Sequence, residues 1–307
     1  MEVCSDRGVL VLGGPTASGK TDLAIGLAQR YGAEIVSADS RQIYRDMPVG
    51  TAAPTADQLT RARHHLVGFL DPYERYSAAR FTLDALAAIT DIHGRGKRAI
   101  VVGGTGFYLR ALCGDVGLAA EPDPALRARV LRELRTHPSQ TLHQWLTARN
   151  GRRAAGISPH DPYRIARALE IVLAAAVPAD ATSAVPPLAT LRSAQIPYVK
   201  AVLQCGLPQL AVRIAHRTDA MLADGLLDEA ERIGDRAVAA DAVGYREALA
   251  FNRGWLTREE LRTNLARATR RYAKRQLTWF RAEPDVTWID GDPAVALDAI
   301  VAGLGWR

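Results

Sequence analysis

Lysine is scarce in this chain of 307 residues: of 39 basic side chains only Lys20, Lys97, Lys200 and Lys274 are lysines, the rest arginines. Arginine-rich usage fits a GC-rich genome as well as a ligand preference, so the formal charge of +6 alone excludes little. Cysteine is scarcer still. Cys4, Cys113 and Cys205 are scattered and share no ligand-like spacing, which argues against a disulfide framework or a zinc site and predicts reduced thiols in a cytoplasmic protein. No apolar run approaches the roughly 18 residues of a membrane span. The start, MEVCSDRG, has neither the basic segment nor the apolar stretch of a secretory signal, so no membrane is expected as partner. Internal repeats are absent.

Several short apolar runs are present, spaced by helical stretches. Val9–Leu12, Glu34–Ser37 and Arg98–Val102 read as strands, Lys20–Tyr31 and Phe81–Gly94 as helices. That rhythm predicts an α/β fold, a parallel sheet flanked by helices. It stops near Gly117. Residues from about 118 to 178 read as helix-rich, broken at Pro122, Pro124, Pro138 and Pro159, and VPADATSAVPP after them reads as an exposed loop or linker. YVKAVLQC (198–205) reads as a returning strand, residues 210–233 and 258–280 as long helices, VTWID as a last strand. The order predicts residues 1–116 and 198–307 as a core interrupted by a helical insertion, 117–197.

GGPTASGKT follows the first strand and opens the first helix. Gly14-x-x-x-x-Gly19-Lys20-Thr21 is the P-loop pattern in its proper setting. Small residues let backbone N–H groups converge on phosphate oxygens at the positive end of a helix, Lys20 bridges outer oxygens and the Thr21 hydroxyl helps hold Mg²⁺. A P-loop does not choose between ATP and another diphosphate. Phosphohydrolases carry an acid at the end of a later strand, whereas the strand AIVV ends in Gly103-Gly104-Thr105-Gly106, glycines that predict close backbone approach and positive φ. The acid stands after the second strand, at Asp39, where it suits a general base or a metal-water ligand as well as a turn cap. His64-His65 reads as packing rather than metal ligation, because adjacent side chains diverge. From Arg262 to Arg281 the chain has basic residues and no acidic one, which suits a polyanion such as RNA. Arg267, Arg270, Arg271 and Lys274 fall at helical spacing, as do Leu265, Tyr272 and Trp279; Trp279 and Phe280 are expected to pack internally.

GPTASGKT, SADSRQIY, VGTAAP, VVGGTGFYLRAL, DPYRIARALE, VGYREAL and TRRYAKRQLTWFR, in this order, resemble the bacterial tRNA dimethylallyltransferases (tRNA isopentenyltransferases) over nearly the whole chain. The resemblance implies a P-loop NTPase-like core with an inserted helical domain facing tRNA. It implies dimethylallyl transfer from dimethylallyl diphosphate, with Mg²⁺, to the N6 amine of the adenine 3′-adjacent to the anticodon. The alternatives are prenyl transfer to free adenine nucleotides or a P-loop kinase. The implied catalytic set is Asp39 as base, Thr105 and Lys20. Gly14, Pro15, Thr16, Ala17, Ser18, Gly19, Lys20 and Thr21 would hold the diphosphate, and Thr21, with Asp39 as a second candidate, the Mg²⁺. Towards tRNA it implies Asp39, Ser40, Arg41, Gln42, Thr105, Arg127, Tyr163, Arg164, Ile165, Ala166, Arg167, Gly244, Tyr245 and Arg246. The expected partners are the anticodon stem-loop and dimethylallyl diphosphate; the expected state is a cytoplasmic monomer. Ala53 replaces a usual lysine, Tyr163 a usual glutamine, and the segment from Met221 to Gly244 is short for the family.

Overall fold

The computed structural model describes residues 7–118, 123–175, 188–290 and 292–307. Cys4, Pro122 and the 177–187 linker reading lie outside them. The chain divides into two compact units, Met1–Gly117 with Leu188–Arg307, and Leu118–Pro187.

The first unit opens with β1 (Val9–Gly13), α1 (Lys20–Tyr31), β2 (Ala33–Ser37), α2 (Ala56–Arg61), β3 (His64–His65), α3 (Ala78–Gly94), β4 (Arg98–Gly103) and α4 (Gly106–Cys113). The second unit supplies α5 (Pro124–Thr136), α6 (Ser139–Ala154) and α7 (Pro162–Ala175). The chain then returns to the first with β5 (Tyr198–Leu203), α8 (Leu207–Ala223), α9 (Leu226–Ile233), a 3₁₀ turn at Val238–Asp241, α10 (Tyr245–Asn252), α11 (Arg258–Arg281), β6 (Val286–Ile289) and α12 (Pro293–Gly303).

The strands form one sheet, ordered β3-β2-β4-β1-β5-β6, with every neighbour parallel. A parallel sheet covered on both faces needs apolar residues at successive positions, which is why Val9, Leu10, Val11 and Leu12 are all at most 2% exposed. Leu10, Leu12, Ile35 and Ile100 pack with Ile25 of α1 and Leu297 and Val301 of α12. Val11, Val36 and Val101 face the other way, onto Phe81 and Ile89 of α3 and Leu112 of α4. Each such side chain contributes about 1.5–3 kcal/mol by leaving water. The sheet therefore holds β1, β2 and β4 side by side, with the loops at their C-terminal ends brought together.

Several readings change. Residues 210–233 form two helices, because Gly225 takes φ +95, a left-handed turn that ends α8 and starts α9. A two-residue strand, β3, lies between the second and third predicted ones, and a final helix, α12, starts at Pro293 with an Asp292 cap. Gly103, Gly104 and Gly106 do not adopt positive φ. They are glycine for space alone: a Cβ would strike the Ala38 carbonyl, the Gln276 amide and the Trp279 indole respectively.

In the helical unit, Asp123 caps α5 through the Leu126 N–H (2.9 Å) and Pro124 takes the first turn. Val130, Leu142, Leu146, Ile165 and Leu169 form its core. Asn150 interrupts α6 with φ −156 and ψ 80. Residues 188–197, read with the insertion, pack instead on the first unit. There the Leu191 N–H donates to the Leu112 carbonyl (2.8 Å), and Arg192 and Lys200 both reach Asp115 (2.5 and 2.8 Å).

Candidate active site

The phosphate loop connects the end of β1 to Lys20, the first residue of α1. Its turn requires left-handed conformations at Ala17 (φ +62) and Gly19 (φ +90). Two distant helices brace it. Gln276 of α11 accepts the Thr16 N–H (2.8 Å) and donates to the Gly104 carbonyl (2.9 Å), tying the loop to the end of β4. On α8, Arg217 donates to the Thr16 hydroxyl (2.9 Å) and Arg213 to the Ser18 carbonyl (2.9 Å). Lys20 folds back to the Pro15 carbonyl (3.1 Å). Burial pushes its ammonium down to about 8, against the pull of Asp39 and with a further push from Arg217. Burial likewise lowers the Arg217 guanidinium, opposed by Asp39 and Asp22. Two half-buried cations beside a turn of small residues form a cradle suited to an anion.

Asp39 follows β2. Its Oδ1 accepts from the Arg41 N–H (2.9 Å) and more weakly from the Gln42 N–H (3.4 Å), so the carboxylate is also the cap of its own turn. The Thr105 hydroxyl accepts from the Ser40 N–H (2.9 Å), fastening this turn to the end of β4. Arg41 is held by Asp241 (2.6 Å). Gln42 donates to the Ala52 carbonyl (2.9 Å), bracing the Ala53-containing loop.

A small cavity joins the two halves: Lys20, Thr21, Asp39, Gln42, Pro54, His64, Val102 and Gly103 among others line it. Sequence reasoning placed Lys20, Thr21 and Asp39 here and missed His64. A carbonyl only accepts, so His64 Nδ1, 2.8 Å from the Ala62 carbonyl, carries the proton. Nε2 is then a buried acceptor with no hydrogen-bond partner among the described residues. Burial lowers the ring's pKa, partly offset by the Ala62 bond. Only His65 follows the packing reading, on Glu34 (2.7 Å). Among the described residues no group of His, Cys, Asp and Glu is placed to hold a metal by itself.

Arg217, Arg213 and Gln276 were missed as well; no local motif marks them, although Gln276 shows as a polar residue amid the buried face of α11.

The tRNA-facing predictions divide by exposure. Arg246 is exposed, as are Tyr163 and Arg164, while Arg167 is paired with Glu170 (3.2 Å). Ile165 and Ala166 belong to the core of the helical unit, so their side chains support α7 rather than meet a ligand. Arg127 is half-buried. Tyr245 is a correction: its ring is fully buried and its hydroxyl donates to Glu229 (2.6 Å); Gly244 is buried too, which leaves Arg246 as the outward part of that turn. On α11, Arg267, Arg270, Arg271 and Lys274 are exposed while Leu265 and Phe280 enter the core. Trp279 lies beneath the Arg110 guanidinium (4.6 Å) and edge-on to Phe107. Among the described residues no helix is long and apolar enough to cross a membrane.

Comparison with known proteins bears on this arrangement. The IPP transferase family model matches residues 42–283, and the isopentenyl transferase model residues 7–69. A tRNA dimethylallyltransferase 2 of Syntrophus aciditrophicus is 44% identical, covering 92% of this chain and 91% of its own. A tRNA dimethylallyltransferase 1 of Citrifermentans bemidjiense is 42% identical with 92% of each covered. The crystal structure of a tRNA isopentenylpyrophosphate transferase from Bacillus halodurans superposes with a TM-score of 0.69 at 35% identity, covering 97% of this chain and 96% of that one.

Proposed function

The chain belongs to the IPP transferase family, and from that premise we propose that it moves a dimethylallyl group from dimethylallyl diphosphate to the N6 amine of the adenine 3′-adjacent to the anticodon of a tRNA. The observation that carries this reading is the single cavity lined by both the phosphate-loop residues Lys20 and Thr21 and the Asp39 carboxylate.

The donor is already activated, so the protein supplies position, charge neutralisation and a proton acceptor. The phosphate loop, Lys20 and Arg217 hold the diphosphate, and the two cations meet the negative charge that grows on it as the C1–O bond breaks. The amine nitrogen forms its bond to C1, pyrophosphate departs with the bonding pair, and Asp39 takes the proton the nitrogen sheds. An aromatic amine is a weak nucleophile, which is why the acceptor must already be in place. The Asx turn fixes the carboxylate before substrate arrives. The donor set suits Mg²⁺: the Thr21 hydroxyl and Asp39 offer hard oxygens, and such an ion takes its remaining ligands from phosphate and water. When bound, it would add Lewis-acid neutralisation of the leaving diphosphate. A base beside an anticodon is stacked, and unstacking it costs a few kcal/mol; exposed arginines on α11 and on the helical unit are the source of compensating phosphate contacts.

Nucleoside analysis of tRNA incubated with the protein, Mg²⁺ and the prenyl donor tests this, with parallel arms supplying AMP in place of tRNA and ATP in place of the donor. Prenylated adenosine in the tRNA arm alone is the expected result. Product in the AMP arm, or donor-independent ATP turnover, would overturn it.

A further inference from the structure

Glu229 is 1% exposed on α9 and has no part in the phosphate cradle. A buried carboxylate is costly unless donors surround it, and here three do: the Val49 N–H (2.9 Å), the Gly50 N–H (2.6 Å) and the Tyr245 hydroxyl (2.6 Å). Burial and the neighbouring carboxylate raise the pKa of the Tyr245 phenol, so it stays a donor. The fit is tight. A Cβ on Gly50 would lie 2.5 Å from Tyr245 Cε2, so the loop backbone rests directly on the ring.

The same loop reaches the active site. Ala52, in a left-handed conformation at φ +49 that alanine disfavours, turns its carbonyl to the Gln42 amide (2.9 Å), and the Thr51 carbonyl lies 3.4 Å from it. Gln42 and Pro54 then form part of the wall of the cavity that Lys20 and Thr21 also line. We infer that Glu229 is a positioning residue for this wall: by gripping the 49–50 amides it sets the 51–52 carbonyls, and through them the Gln42 side chain beside Asp39. This inference rests on the proposed reaction for its consequence, the seating of the acceptor base, and on geometry alone for the latch.

Glu229→Gln is the sharp test, because all three partners are donors and an amide would turn its NH₂ towards at least one of them. Tyr245→Phe is the milder variant, which keeps both N–H contacts should the first fail to fold. Hydrogen exchange at Val49 and Gly50 reads the latch without substrate and is expected to accelerate about tenfold or more in Glu229→Gln. The KM for an anticodon stem-loop is expected to rise about tenfold while the affinity for a diphosphate monoester stays within about twofold. Gln42→Ala combined with Glu229→Gln is expected to cost no more than either alone. Unchanged exchange in both variants overturns the latch. A fall in diphosphate affinity matching that for RNA, or additive effects with Gln42→Ala, reduces Glu229 to a general stability role and overturns the inference. Absence of prenyl transfer by the wild type sinks only the proposed reaction, since the exchange measurement still decides the latch.

Discussion

The phosphate loop and the helical unit handle positive charge in opposite ways. At the phosphate loop, Lys20 and Arg217 are half-buried, and the loss of water depresses both. In the helical unit Arg129, Arg132, Arg135, Arg149, Arg152 and Arg153 lie along α5 and α6, most of them exposed. A cation stripped of much of its water binds an anion strongly, at one geometry. An exposed cation interacts weakly, adds to its neighbours and is screened by salt. One arrangement suits a small charged group held for chemistry, the other a long polyanion gripped by many weak contacts. Removing single groups from each unit should therefore have effects of different kind as well as size.

The largest difference is expected at Asp39. Asp39→Asn preserves an oxygen for the Arg41 and Gln42 N–H groups, so the turn survives and only the proton acceptor is removed. Turnover should fall about 10²–10⁴-fold, with thermal unfolding little changed. Replacing any one exposed arginine of α6 should leave kcat within about twofold. Single-turnover rates measure both. An Asp39→Asn enzyme that keeps a tenth or more of its rate would erase the distinction and remove Asp39 from the chemistry.

A second difference concerns pH. The free Lys20 ammonium titrates near 8, and a bound diphosphate restores the charged form. Affinity is then complete below about pH 8 and declines as pH rises through that value, because the ligand must first draw a proton onto the lysine. A diphosphate monoester should bind about tenfold more weakly at pH 9 than at pH 7, with proton uptake visible by calorimetry in two buffers. Guanidinium groups do not titrate in this range, so RNA binding by the helical unit should stay flat over the same interval. A flat diphosphate profile would mean that the Lys20 ammonium is not depressed at the phosphate loop.

Legibility in the sequence follows the same divide. The phosphate loop and Asp39 could be read because their chemistry is local: a glycine spacing, a strand before, a helix after. The sheet could be read because its central strands, β1, β2 and β4, are buried on both faces. Arg217, Gln276 and Glu229 could not, since they reach the loops they hold from 201, 260 and 180 residues away, and only the folded chain brings the partners together. Tyr245 departs from its reading for the related reason that a motif conveys identity, not exposure. His64 sits in a strand of two residues, too short for periodicity to reveal. The break at Asp224-Gly225 and the Asp292-Pro293 helix start had local signals that the continuous apolar pattern overrode. The helical unit's fold was readable from its periodicity, whereas which of its arginines matter is not, because exposed arginines resemble one another.

That last gap defines the smallest expected effect. Arg149, Asn150 and Arg153 of α6 line an open groove together with Ile171 and Val172 of α7, so two guanidinium groups flank an apolar surface. If the helical unit grips RNA, converting both arginines to glutamine should weaken stem-loop binding only a few-fold at moderate salt. It should also lower the slope of log Kd against log salt by about 0.7–0.9 for each phosphate no longer neutralised. Fluorescence anisotropy over a salt series reads the slope, and diphosphate affinity should not move. An unchanged slope would shift the polyanion grip to Arg267, Arg270 and Arg271 of α11, and the same series on those variants would then carry the missing counterion release.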